Sequence, residues 1–438
     1  MNRKNFIVRD YVKELNEIIR FQLETNNIIP KFSPDIENLR REDFKEEPCK
    51  HRECFIDYKT LTIDSIDSKD MDDAVNIIKT SDGFILMVHI ADVANYVSIG
   101  SNLDKEAITR ATSIYLPNLT VPMLPPVLSN DLCSLNPGVE RKTLSVIINL
   151  DKNGNVIDST ITKGIIKSRV KGVYSEINQL LEGSNESELL HKYSEVYDEI
   201  FEMAELYKLL RNERISRGAN VEDSNKPKIT VHQNSIDLEP SVEGVAENMI
   251  EEFMILANSI VAEYLYNNNL PAIFRIQEEK NHLAAYRPVR EHHADLCLEN
   301  YSHFTSPIRR VADLKIHQVL TLHLNGVSHE IIHKLFDYSL WDVCDRATKR
   351  SRTAKSVQDY CERYCYRQYF NTHSQTRFTG TFVGYDRRQR PVMRVEDYNI
   401  MVIGYAVIGG SIGEQYTFNV NVSNDKDMVT TKVHRVFI

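Results

Sequence analysis

Five aspartates crowd into one short stretch near the start of this chain, and charge of one sign at that density restricts how a backbone can fold around it. Thr62–Ala74 reads T-I-D-S-I-D-S-K-D-M-D-D-A and carries Asp64, Asp67, Asp70, Asp72 and Asp73. Two carboxylates ~5 Å apart at an effective dielectric of ~20 repel by roughly 3 kcal/mol. Every pair among several converging carboxylates adds such a term, so the cluster must protonate, splay apart or bind cations. Oxygen donors of this kind suit hard divalent ions, Mg²⁺ first and Mn²⁺ as the alternative. Leu61-Thr62-Ile63 reads as the end of a strand, which sets Asp64 at its C-terminal edge. A polar loop follows, and Asp70-Met71-Asp72-Asp73 leads back into apolar structure at Ala74-Val75. Acids at a strand end and on the returning loop can share one ion site. Most acidic runs are merely solvated loops; the spacing favours an ion site over that reading. A calcium loop of the EF-hand kind fails, because no glycine sits at the turn and the twelfth position is Val75 or Ser81 rather than Glu.

A second motif lies far along the chain. Tyr301–Asp313 reads Y-S-H-F-T-S-P-I-R-R-V-A-D. Thr305-Ser306-Pro307 is a helix-entry signal, which predicts a helix running on through Ile308-Arg309-Arg310-Val311. Arginine in a first turn opposes the helix dipole, so two of them there point to an anion at the N-terminus, the alternative being an ordinary exposed basic helix start. An acidic metal cluster and a guanidinium that can hold a phosphate are the two halves of a phosphodiesterase site.

These blocks resemble the RNase II / RNB family of exoribonucleases. The family's metal-site pattern is similar to T-I-D-x₅-D-x-D-D-A, as in Thr62–Ala74. The likeness continues through V-H-I-A-D-V at Val88–Val93, R-A-T-S-I-Y-L-P at Arg110–Pro117, D-L-C-S-L-N-P-G at Asp131–Gly138, I-E-E-F-M-I-L-A-N at Ile250–Asn258 and F-T-S-P-I-R-R at Phe304–Arg310. It covers about residues 40–370 in the family's order. The resemblance implies an α+β fold: an RNB-type catalytic domain with a small C-terminal OB-like β-barrel. It implies Asp64, Asp70, Asp72 and Asp73 as metal-holding and catalytic residues, and Arg309 as the group on the scissile phosphate. Tyr115 matches the residue that stacks at the RNA 3′ end, and Tyr174 and Glu251 match ribose contacts. Arg310, Arg350 and Arg352 are further expected RNA contacts. Asp67 falls at a variable position. The implied activity is hydrolytic 3′-to-5′ degradation of single-stranded RNA to 5′-mononucleotides by a two-metal mechanism; the alternative is a catalytically silent RNA-binding or assembly factor on the same fold. Glu251 and Asn258, seven apart on an apolar helix, are expected on one face, needing a partner or a ligand; a carboxylate satisfied within the core is an equal alternative.

The chain also departs from the pattern. Before the metal motif there is an amphipathic helix, Tyr11–Asn26, and no run of alternating strands, so the family's cold-shock domains are expected to be missing. Glu222 stands where a stacking aromatic is expected after Arg217-Gly218-Ala219, the segment Arg275–His293 is short, and Lys355 replaces an acid.

Residues 1–57 are expected to form a helical extension, 58–372 the catalytic domain and 375–438 the barrel. The barrel rests on five β-rich runs: Phe378–Tyr385, Pro391–Val395, Tyr398–Ala406, Gln415–Val422 and Val429–Phe437. Asp151-Lys152-Asn153-Gly154, between two strand-like runs, reads as a hairpin turn. The net charge of −9 is awkward for a nucleic-acid binder. Much of the acidity lies in the metal cluster and in Leu189–Glu205, whereas Arg346, Lys349, Arg350, Arg352 and Lys355 form an acid-free basic run with Tyr360, Tyr364, Tyr366 and Tyr369 close behind. Such a helix suits a single-stranded channel, or equally an exposed helix with a tyrosine-lined core face. No stretch is a membrane span or signal core, and seven irregularly spaced cysteines argue for reduced thiols, so a soluble cytoplasmic protein with no membrane partner is expected. Cys49/His51/Cys54 and Cys361/Cys365 lack the second half of a zinc site.

Overall fold

A hairpin of two twelve-residue strands organises the first half of the chain. Glu140–Asp151 and Val156–Lys167 pair antiparallel across the D-K-N-G turn. There the Asp151 carboxylate accepts the Asn153 and Asn155 N–H groups at 2.8 and 2.9 Å. Gly154 takes a φ of +84°, a conformation that side-chain-bearing residues resist. Gly83–Ala91 and Asp73–Lys79 extend the sheet on one side, and Glu53–Phe55 pairs parallel on the other. This computed structural model describes residues 9–44, 51–221, 226–240, 244–280, 282–405 and 410–436.

Leu86, Val88, Ile90, Leu144, Val146 and Ile148 are fully buried on the sheet. They share one core with Phe253, Ala257 and Val261 of the helix Val245–Asn267 and with Leu314 of the helix Val311–Leu324. Each such side chain contributes roughly 1.5–3 kcal/mol by leaving water.

The N-terminal helix Tyr11–Thr25 begins where the Asp10 carboxylate accepts the Lys13 N–H at 3.0 Å. Its apolar face (Leu15, Ile19, Leu23) packs on Ala354, Val357, Cys361 and Cys365 of the long helix Ser339–Thr372. The Tyr364 hydroxyl donates to Glu14 at 2.8 Å across this contact.

The C-terminal strands close into a barrel, ordered Phe378–Tyr385, Pro391–Val395, Ile400–Ile403, Met428–Arg435, Gln415–Val422. The third strand is shorter than its sequence run, because Glu396–Tyr398 forms a tight turn and Asn399 a left-handed residue ahead of it. Ala406, Phe437, Glu222 and Cys49 lie outside the described residues. The long helix plugs the barrel: Tyr369 and Phe370 pack with Phe378, Phe382, Met393 and Phe418. Tyr364 and Tyr369 are therefore buried in packing, not presented to bases, whereas Tyr360 is exposed. The described cysteines are all free thiols, Cys361 and Cys365 among them fully buried. No helix among the described residues is long and apolar enough to cross a membrane.

Candidate active site

Asp64 ends the short strand Thr62–Asp64, which pairs parallel with Lys171–Val173. Gly172 permits that pairing, since a Cβ there would stand 2.7 Å from the Thr62 carbonyl oxygen. The register sets Asp64 opposite Val173, one residue before Tyr174. Lys171 Nζ ties the acidic loop down, donating to the Ile66 and Ser68 carbonyls at 2.9 and 2.6 Å. Ser134 holds the other side of the loop: its hydroxyl accepts the Met71 N–H at 3.1 Å and donates to the Lys69 carbonyl at 2.8 Å. Ser134 belongs to the D-L-C-S-L-N-P-G block, whose backbone role was not legible from residue type alone.

Each aspartate has its own surroundings. Asp72 is buried, with Oδ1 accepting the Ile308 N–H at 2.8 Å. Its Oδ2 has no hydrogen-bond partner and faces Arg309 Nε at 3.4 Å. Asp70 Oδ2 accepts the Tyr115 hydroxyl at 2.6 Å. Asp64 Oδ1 is 3.4 Å from Ser68 Oγ, and its Oδ2 is buried without a partner. Burial, then the charge of Asp73, pushes the Asp64 carboxyl up to about 7. Burial likewise lifts Asp73 to about 6 against the pull of Arg309 and Arg310, and holds Asp72 well above the ordinary carboxylate range. Among the described residues no three carboxylate, imidazole or thiolate groups converge on one point. The aspartates are instead engaged severally, by Tyr115, by Ile308 and Arg309, and by Ser68. The carboxylates are thus held apart, and burial, with the neighbouring acids adding to it at Asp64 and Asp72, disfavours ionisation of Asp64, Asp72 and Asp73. The two orphaned carboxylate oxygens, on Asp64 and Asp72, are hard donors that fit a divalent cation. Asp67 stands apart, largely exposed, with Lys228 Nζ at 3.9 Å.

The second motif reaches this cluster by a route its local signals do not show. The helix expected from Ser306 begins at Val311, so Arg309 and Arg310 precede it and do not occupy its first turn. Tertiary hydrogen bonds hold the segment in turns. Ser306 N–H goes to Asp313 Oδ1 at 2.8 Å, Ile308 N–H goes to Asp72, and the Arg309 carbonyl accepts the Ser113 N–H at 3.0 Å and the Thr112 hydroxyl at 3.2 Å. Arg309 is half-exposed, steadied by Nη2 donating to Ser306 Oγ at 2.9 Å.

Tyr115 and Tyr174 also come to the cluster. Tyr115 touches Asp70, and the Tyr174 phenol is held well above its usual range by burial and by Asp73 and Asp64. Glu251 does not share surroundings with Asn258. Its carboxylate is half-exposed and paired with Arg214 at 3.1 Å, beside the buried Glu252–Arg214 pair at 2.7 Å. Asn258 is buried and accepts the Phe304 N–H at 2.7 Å, orienting the F-T-S-P turn. The i,i+7 spacing is common to both, but the helix is covered along only part of its length. Arg310 turns to Asp313 at 2.7 Å, and Arg350 donates at 3.3–3.4 Å to the Asn26 and Asn27 carbonyls after the N-terminal helix. Arg352 is exposed on the long helix.

The RNB domain family model matches residues 52–284 and 280–326. Ribonuclease R 1 of Lactococcus lactis is 30% identical over 438 residues, covering 87% of this chain and 51% of that protein. The chain thus spans about half the length of that relative. Among solved structures, Mycoplasma genitalium RNase R in complex with ribose-methylated single-stranded RNA is similar in fold, with a TM-score of 0.79, 23% identity, and coverage of 95% of this chain and 78% of that one. Yeast Ssd1, described as a pseudonuclease, is similar with a TM-score of 0.62 at 18% identity, covering 89% of this chain and 55% of that one.

Proposed function

The chain belongs to the RNB family, and on that premise we propose that it is a 3′-to-5′ exoribonuclease that hydrolyses single-stranded RNA to 5′-mononucleotides. One observation carries the reading: a buried aspartate from the acidic loop, Asp72, holds the backbone of Ile308 and faces Arg309, residues more than two hundred positions away. These contacts support reading the acid cluster and Arg309 as one site, with the guanidinium as its phosphate-holding group.

In this reading Asp64, Asp70, Asp72 and Asp73 hold divalent cations, Mg²⁺ in the first instance. Bound there, such ions supply Lewis acidity, favouring deprotonated water and neutralising charge on phosphate oxygens. The protein's own groups do the rest. Arg309 holds the scissile phosphate and offsets charge that grows on it in the transition state. Its anchoring through Ser306, Ser113 and Thr112 fixes the guanidinium before substrate arrives, which preserves orientation at the reacting centre. Tyr115 is assigned to flank the 3′-terminal nucleotide, and Tyr174, close to Asp64 and Asp73, to read a ribose. Residues 58–372 form the catalytic domain and the C-terminal barrel contributes to RNA binding.

The same-fold alternative, a silent RNA-binding or assembly factor, is favoured by the likeness to a pseudonuclease. Retention of all four aspartates together with Arg309 weighs against it, because a binding module gains nothing from burying repelling carboxylates. The deciding experiment incubates 3′-labelled and 5′-labelled single-stranded RNA with the protein in Mg²⁺ and in EDTA, with products resolved at single-nucleotide length. Degradation from the 3′ end in Mg²⁺ alone, lost in Asp72→Asn while RNA binding persists, is the expected result. Undiminished turnover by Asp72→Asn would overturn the site assignment, and RNA intact under all conditions would favour the silent reading.

A further inference from the structure

A second set of cationic groups lies near Arg310, the residue after Arg309. Arg275 sits on the strand Phe274–Ile276, opposite Tyr286 of Ala285–Arg287. Its guanidinium carbon lies 4.5 Å from the Tyr286 ring centre. Its Nη1 is buried with no hydrogen-bond partner, and among the described residues it has no carboxylate within ion-pair distance. Burial works against its charge, and Arg310 and Arg352 add to that. Arg310 is neutralised by Asp313; Arg352 is exposed and makes no ion pair among the described residues. The geometry is fixed by named contacts. The Tyr286 N–H donates to Thr348 Oγ1 on the long helix at 2.9 Å, and Arg352 follows Thr348 by one helical turn. The Tyr286 hydroxyl meets His303 Nδ1 at 2.8 Å, and His303 immediately precedes the F-T-S-P-I-R-R segment that carries Arg309.

A guanidinium desolvated without a counter-charge is costly, and a second unpaired guanidinium beside it raises that cost. An incoming anion relieves both. Arginine's planar fork suits a phosphodiester, and Arg310 links this cluster directly to the scissile-phosphate residue. We infer that Arg275 and Arg352 form a second phosphate subsite, which holds an internal phosphodiester of the RNA strand whose scissile phosphate sits at Arg309. The inference rests on the exoribonuclease reading.

The test measures binding of a short single-stranded RNA in EDTA, where no cleavage intrudes, to wild type, Arg275→Met, Arg352→Ala and the double variant. Folding is checked by circular dichroism and thermal melting. Each lost phosphate contact should flatten the slope of log K against log salt by about 0.7. A series of RNAs with one uncharged methylphosphonate linkage, walked inward from the 3′ end, localises the contact. Wild type should lose about tenfold in affinity at one internal linkage, the low end for a charge-assisted hydrogen bond. The folded variants should lose nothing further there. If neutralising every linkage weakens folded Arg275→Met and wild type equally, the subsite is refuted and Arg275 serves only to pack on Tyr286. Should Arg275→Met fail to fold, Arg352→Ala alone decides, by the same slope and the same linkage. Parallel incubation of wild type in Mg²⁺ keeps the two readings apart: absence of degradation defeats the nuclease reading, whereas degradation with unaltered slopes defeats only the subsite.

Discussion

Replacing Asp64 by Asn should make the protein more stable while destroying its activity, and the gain should grow with pH. Asp64 is held up to about 7, against an ordinary value of 3.8, by burial and by Asp73. A carboxyl whose folded pKa is raised keeps a proton in the native state that the unfolded chain has already released. Wild type therefore loses stability as pH climbs from the unfolded value through the folded one, and the loss levels off above about 7. Asn has no proton to lose and escapes this penalty. Taking one pKa unit as about 1.36 kcal/mol, the variant should gain below about 1 kcal/mol at pH 4, about 2 kcal/mol at pH 5 and up to roughly 4 kcal/mol at pH 8. The assay is urea unfolding of both proteins in EDTA across that pH range. Saturating Mg²⁺ should reverse the order, since a ligand that binds only the native wild type stabilises it by mass action. If Asp64→Asn is the less stable protein in EDTA at pH 8, or if its gain is the same at pH 4 and pH 8, then burial and the Asp73 charge do not hold the Asp64 carboxyl protonated.

Arg309→Lys retains one charge but not the fork, and should lower RNA turnover by about 10²–10³-fold with a much smaller change in binding, as measured by single-turnover cleavage and filter binding. Asp313→Asn should cost about 3 kcal/mol in denaturant unfolding, the low end for a broken buried pair, because it leaves the partly buried Arg310 without its counter-charge; an unchanged midpoint would show that Asp313 does not hold the Ser306–Arg310 turn. Tyr115→Ala should lengthen the smallest product on a sequencing gel, since the flank for the terminal nucleotide is gone, whereas unchanged end products would remove Tyr115 from that role. EDTA should abolish degradation and added Mg²⁺ restore it, with Mn²⁺ tested alongside; turnover that survives exhaustive chelation would contradict the cation reading.

The acidic cluster was legible because residue type and spacing suffice to pose the charge problem, and Tyr115 and Tyr174 came with the family pattern. The D-K-N-G hairpin and the barrel strands were legible because turn chemistry and alternation are local. Glu251 and Asn258 have separate surroundings for a definite reason: helical spacing fixes a face but not where along the helix that face is covered. The basic run with its tyrosines divided likewise, with Tyr364 and Tyr369 in packing and Tyr360 exposed.

By itself the sequence posed the charge problem of the carboxylates near residue 70, to be met by protonation, splaying or cations, and placed two arginines after a Thr-Ser-Pro entry, because charge and donor type belong to the residues wherever they fold. The tertiary structure alone decided how these meet. A Ser-Pro helix entry offers about 1 kcal/mol of local preference, too little against the buried hydrogen bonds from Asp72, Asp313 and Ser113 that unwind Ser306–Arg310. Those long-range partners turn Arg309 toward Asp72, and no local pattern could have supplied them.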